Sequence, residues 1–176
     1  MRLRRNKSLF ASFSLEKEES TFFEKKESKK LLFLVLALLT SPAFAEDLGA
    51  AIYNERCALC HQADAHGAPG VAPSLAGTLA RYANTADGVK YLSQIAVSGM
   101  VGKIQTEGHN FSGLMPGFAA DLNDAQIAAV IDYVLAHDNA VINPPVTAAS
   151  VASARAAQPT PTDTRHLRET LLPASK

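Results

Sequence analysis

Cysteine is scarce in this 176-residue chain: Cys57 and Cys60 are the whole supply, which excludes a disulfide scaffold. Ten glycines and nine prolines are too few for a collagen-like or low-complexity chain. Net charge is missing too. Seventeen basic residues balance 17 acidic ones, so composition shows neither a nucleic-acid-binding stripe nor a disordered acidic tail. A membrane span needs roughly 20 apolar residues, and the apolar run here, LLFLVLALL from Leu31 to Leu39, ends well short of that at Ser41-Pro42.

What that run does fit is a secretory signal peptide. Lys29 and Lys30 precede it and Ala43-Phe44-Ala45 follow it, giving the order basic, apolar, A-x-A. Cleavage is expected after Ala45, with export to the periplasm and no permanent membrane span afterwards. Met1 to Ser28 is longer and more acidic than a usual n-region and reads as an over-extended start, although no methionine lies between Met1 and Met100 to supply a later one. The zero charge then divides into +4 on residues 1–45, −6 on residues 46–140 and +2 on residues 141–176.

In the exported part, Asp47 can cap a short helix running into the cysteine pair, with Leu48, Ala51 and Ile52 along one side. A Gly/Pro/Ala loop follows from Gly67 to Gly77. A second helix is predicted from about Asp87 to Ser98, with Val89, Leu92, Ile95 and Ala96 at helical spacing and Gly99 as its stop. The five glycines between Gly99 and Gly117 predict an irregular loop. Asn123 with Gln126 three residues on is a capping box, and Ile127, Val130, Ile131, Val134 and Leu135 form the stripe of an amphipathic helix ending near His137. After Ile142 the chain is rich in Ala, Ser and Thr and punctuated by proline, so residues 141–176 are expected to be a mobile extension. Arg165 to Leu172 has the makings of a short docking helix, but an isolated helix of that length is marginal in water.

Cys57-Ala58-Leu59-Cys60-His61 is C-x-x-C-H, the attachment pattern for c-type heme. Two thiols on one helical turn add to the two porphyrin vinyl groups, and the next residue sets an imidazole under the iron. A structural disulfide, a thioredoxin-like dithiol and a zinc site recruiting His66 compete with this reading. The dithiol lacks its alternating strands and helices, and the zinc site lacks a second C-x-x-C. The sixth iron position decides function. Met115, in Leu114-Met115-Pro116-Gly117, is the candidate, a thioether in a stiffened loop. Met100 is its rival, and His66 or His109 would make a bis-histidine heme.

The pattern resembles the class I cytochromes c, the small periplasmic bacterial ones and the cytochrome domains attached to periplasmic dehydrogenases. The resemblance spans about Asp47 to His137. Gly49 and Tyr53 look like the glycine and aromatic of the family's first helix, which cross the last helix at Tyr133. CHQADAHGAPGVAPSLAG is similar to the post-heme loop, in which a proline carbonyl accepts the N–H of the proximal histidine; Pro73 holds the matching place. Ala65 and His66 depart from the commoner Gly and Gln there. Ile95 through Gly99, Ile104 and Gly108 to Pro116 looks like the methionine-side segment.

The resemblance implies an all-α, small cytochrome c fold with three to five helices wrapped around one covalent heme c. It also implies that residues 46–140 are the cytochrome domain, that Cys57, Cys60, His61, Pro73 and Met115 bind the cofactor, and that His61 and Met115 ligate the iron. Leu75, Ile95, Phe111 and Leu114 are pocket candidates, and Tyr82, Tyr91 and Arg81 candidates for the propionates. The function expected is single-electron transfer, without catalysis, between a dehydrogenase or quinol-oxidising donor and a terminal acceptor. The acidic domain favours redox partners with a basic docking patch and predicts no nucleic-acid partner. The alternatives are a peroxidase or gas sensor with a labile sixth ligand, or a subunit of a dehydrogenase complex.

Overall fold

The computed structural model describes residues 48–142 and 144–172. The expected leader, its cleavage point, the Asp47 cap and Pro173 lie outside the described residues. Residues 48–61 form helix α1, which widens to a π turn over Tyr53–Cys57 and tightens again over Ala58–His61. A Cβ on Gly49 would stand 2.4 Å from the Ala129 carbonyl oxygen and 2.6 Å from Tyr133 Cβ, so glycine is what lets α1 cross the later helix this closely. The Tyr53 and Tyr133 rings fill the space beside the crossing, with centroids 5.8 Å apart.

After a one-turn helix α2 (Ala80–Ala83), Thr85 caps helix α3 (Ala86–Ser98) by accepting from the Gly88 amide. Gly99 ends α3 at φ 75°, where glycine carries no steric cost. The capping box of Asn123 and Gln126 starts helix α4 (Asp124–Tyr133), which runs on as a π turn over Val134–Asp138. Ile127, Val130, Ile131, Val134 and Leu135 are all buried, as the stripe predicts.

Gly99 to Gly117 is not the irregular loop its glycines suggest. It holds an antiparallel hairpin, β1 (Gly99–Thr106) and β2 (His109–Pro116), with Met100 opposite Met115, Gly102 opposite Gly113 and Ile104 opposite Phe111. Glu107 and Gly108 both take left-handed backbone (φ 50° and 77°), the two-residue turn that matches strand twist. The described residues therefore contain six helices and a two-stranded sheet, a mostly helical fold rather than an all-α one with three to five helices.

The C-terminal stretch, expected to be mobile, holds two of those helices, α5 (Ala148–Ala157) and α6 (Pro161–Leu171). Each begins with a capping box, Thr147 with Ser150 and Thr160 with Asp163, and Pro161 occupies the first turn of α6 where its missing N–H costs nothing. Helix α5 packs on α3 and α4, burying Val151 and Ala154; α6 packs on β1 and α3, burying Thr164. Arg155 pins α5 by donating to Asp124 Oδ1 (2.7 Å) and to the carbonyls of Ala119 (2.6 Å) and Leu122 (2.8 Å). Short helices that are marginal alone are stable when a packed face supplies the burial.

Candidate functional site

The site begins where α1 ends. Gln62 turns the chain at φ 64°, and the loop then doubles back through Gly67, where a Cβ would lie 2.4 Å from the Ala72 oxygen and 2.6 Å from the Pro73 carbonyl. The amides of Leu75 and Ala76 both donate to the Ala65 carbonyl and close the loop. Ala65 itself is buried at φ 58°, which explains why the resemblance implies glycine at that position.

This path sets the Pro73 carbonyl oxygen 2.9 Å from His61 Nδ1, the contact the resemblance implies. A carbonyl only accepts, so Nδ1 carries the proton and Nε2 keeps its lone pair. His61 is 7% exposed, and burial lowers its pKa against the opposing pull of the Pro73 hydrogen bond. The imidazole is thus neutral, as a ligand must be.

Cys57, Cys60, His61, Pro73 and Met115 all line one apolar cavity. Residues of helix α1 and its loop, Leu92 and Ile95 of α3, Val130 of α4, Val134 of the π turn that continues it, and both strands of the hairpin line it. Leu75, Phe111, Leu114, Arg81, Tyr82 and Tyr91 line it too, and neither His66 nor His109 does. His66 instead sits in the loop with Nδ1 2.8 Å from the Asp64 carbonyl oxygen. Met100 and Met115 are directly opposed across the strands, so both thioethers lie on the ribbon's cavity side.

The competing chemistries fit the arrangement poorly. Cys57 and Cys60 are unpaired thiols. Burial, then the neighbouring Cys60, pushes the Cys57 thiol up to about 11, the opposite of what a dithiol oxidant needs. Among the described residues no three His, Cys, Asp or Glu side chains are grouped as a zinc site requires. Two adjacent thiols, a neutral imidazole with Nε2 open and an apolar cavity before them are a donor set that fits heme c.

Residues 46–138 match the family model for cytochrome c. The chain belongs to the cytochrome c family. This class I c-type cytochrome is 37% identical over 105 residues to a cytochrome c-552 of Thermus thermophilus, covering 60% of the chain and 70% of that protein. A second Thermus thermophilus cytochrome c-552 is 40% identical over 86 residues, 49% of this chain and 64% of its own length. A fructose dehydrogenase cytochrome subunit of Gluconobacter japonicus is 40% identical over 95 residues, 51% of this chain but 18% of that protein. Covalent heme c and electron transfer come with membership. Among the described residues, no helix of this cytochrome is long and apolar enough to cross a membrane.

Sequence reasoning underrates one cavity residue and misses another. Met100 reads as a rival to Met115 that follows a helix directly and lacks a frame, until the strand register sets it opposite Met115. Arg168 sits on α6, in a stretch whose composition suggests no fold, and lines the cavity nonetheless. The alternation of Met100, Gly102, Ile104 and Thr106 before a Glu107-Gly108 turn is the signal that could have revealed the first. The T-P-x-D start of α6 could have revealed the second.

Proposed function

We propose that this cytochrome is a periplasmic carrier of single electrons, with heme attached through Cys57 and Cys60 and ligated by His61 and Met115. The observation that most supports this is the convergence of those four side chains and the Pro73 carbonyl on one apolar cavity. Bound there, the heme supplies a one-electron couple. The chain's own part is to hold His61 in one tautomer, to offer a neutral thioether and to keep water away from both, which minimises rearrangement as charge changes and raises the potential. The residues enact no catalysis of their own in this reading.

The resemblance, whose methionine-side segment ends in Leu114-Met115-Pro116, favours Met115 over Met100. Gly99 approaches the Met115 carbonyl so closely that a Cβ would lie 2.2 Å from its oxygen, and a Cβ on Gly117 would lie 2.4 Å from the Val97 oxygen. Met115 is therefore clamped against the end of α3. The Met115→Ala holoprotein is expected to lose the iron–thioether absorption and magnetic signature and to fall in midpoint potential. Met100→Ala should retain both. An unchanged signature in Met115→Ala would remove Met115 from the iron, and its loss in Met100→Ala alone would transfer the role to Met100.

The donor belongs to a dehydrogenase or quinol-oxidising system and the acceptor is terminal in the same chain of reactions. The likeness to a dehydrogenase cytochrome subunit supports a second form of the same role, as the electron-accepting subunit of such a complex. Residues 46–140 carry −6, which favours redox partners with a basic docking patch.

A further inference from the structure

Arg168 is 7% exposed and lines the cofactor cavity from the last described helix. Its Nη2 donates to the Gln105 carbonyl at 3.1 Å, and its guanidinium acts on the Tyr91 hydroxyl, lowering a pKa that burial raises. Among the described residues no carboxylate pairs with it. The other cavity arginines differ: Arg56 is exposed and pairs with Glu55 at 3.1 Å, and Arg81 is exposed and donates through Nε to the Thr78 carbonyl.

A buried cation without a counter-charge is strongly unfavourable, and arginine cannot escape by losing its proton. The fold nevertheless takes care to hold it there. Thr160 and Asp163 cap α6, Thr164 is fully buried one turn before Arg168, and Leu167 and Leu171 pack on the core. Gly102 at φ 115° makes room for α6 on β1: a Cβ there would come within 3.0 Å of Arg165 Cδ. Had the position needed only packing, a leucine or methionine would fill it without the desolvation cost.

We infer that Arg168, with the Tyr91 hydroxyl, binds a heme propionate, so that α6 is a wall of the cofactor site. The anion supplies the missing counter-charge, and the guanidinium supplies planar donors matched to a carboxylate. This rests on heme being attached, but not on which residue takes the sixth iron position. The cation beside the heme disfavours the ferric form and raises the potential.

The test uses the full-length holoprotein as wild type, Arg168→Gln and Arg168→Lys, read by midpoint potential and by the propionate bending mode in resonance Raman spectra. Arg168→Gln should lower the potential and displace the propionate mode. Arg168→Lys, which keeps the charge and loses the fork, should displace the mode with a smaller fall in potential. A shift of Arg168→Gln in only one readout, or in neither, overturns the assignment, as does an equal fall in both variants. If Arg168→Gln yields no holoprotein, Arg168→Lys decides: a displaced mode supports the contact and an unmoved one overturns it. A pyridine hemochrome on the same samples separates this from loss of heme, and the thioether signature separates it from a wrong axial ligand.

Discussion

At the scale of single residues, the site depends on where the backbone has to double back. Gly67 stands at φ 70° with the Ala72 oxygen and Pro73 carbonyl where a methyl would go. Gly67→Ala is expected to cost about 2 kcal/mol or more, read by chemical unfolding, because strained backbone and a backbone clash add. It should also move the midpoint potential by displacing the Pro73 carbonyl from His61. Asp132 offers a pH test. Burial pushes its carboxyl up to about 6 while the hydrogen bond from the Val146 amide pulls it down. The folded protein therefore holds this proton more tightly than the unfolded chain, whose value is 3.8. The stability it contributes is full below about 4 and is lost as pH rises to about 6, on the order of 1 kcal/mol after allowance for solvent screening. Asp132→Asn should flatten that slope in unfolding curves taken across the window. Cys57, Cys60 and His61 were legible at this scale because thioether chemistry fixes their spacing. Arg168 was not, because nothing in Arg-Glu-Thr-Leu says which face of a helix will be covered.

Among the elements, α3 and α4 were readable, α6 only as the short docking helix that Arg165 to Leu172 offered beside a mobile tail, and the hairpin and α5 were not. A helix with a stripe and a cap declares itself over ten residues, as Asn123 to Leu135 does. The hairpin's inner face alternates Met100, Gly102, Ile104 with Phe111, Gly113, Met115, and the glycines erase the hydrophobic half of the signal. Gly102 leaves room for Arg165 of α6, whose Cδ a Cβ there would approach to 3.0 Å, whereas a Cβ on Gly113 would meet no atom within 4 Å. Its turn supplies a test: a Cβ added at Gly108 would meet no atom within 4 Å, so Gly108→Ala should cost only its left-handed backbone, about 1 kcal/mol. Helix α5 is held by small buried residues and by Arg155, whose three bonds reach the loop before α4 and the first residue of that helix. Arg155→Met should destabilise the protein by about 2 kcal/mol in urea unfolding, since charge-assisted bonds and two carbonyl acceptors are lost together.

For the molecule as a whole, the neutral total charge conceals an acidic body. The rate of electron exchange with a cationic redox partner is expected to fall steeply as ionic strength rises, measured by stopped flow; a rate that rises with salt would contradict the steering argument. A different property follows from the kind of acceptor that organises the site. Tyr53 donates to the Gln62 carbonyl (2.7 Å), His61 to that of Pro73 (2.9 Å) and Arg168 to that of Gln105 (3.1 Å). Every amino acid brings a carbonyl, so a substitution at 62, 73 or 105 that the local backbone tolerates leaves these partners in place; proline at 62, where φ is 64°, is excluded. Mutational drift of that kind leaves the cradle standing; insertions, deletions and the loss of a turn glycine are what dismantle it.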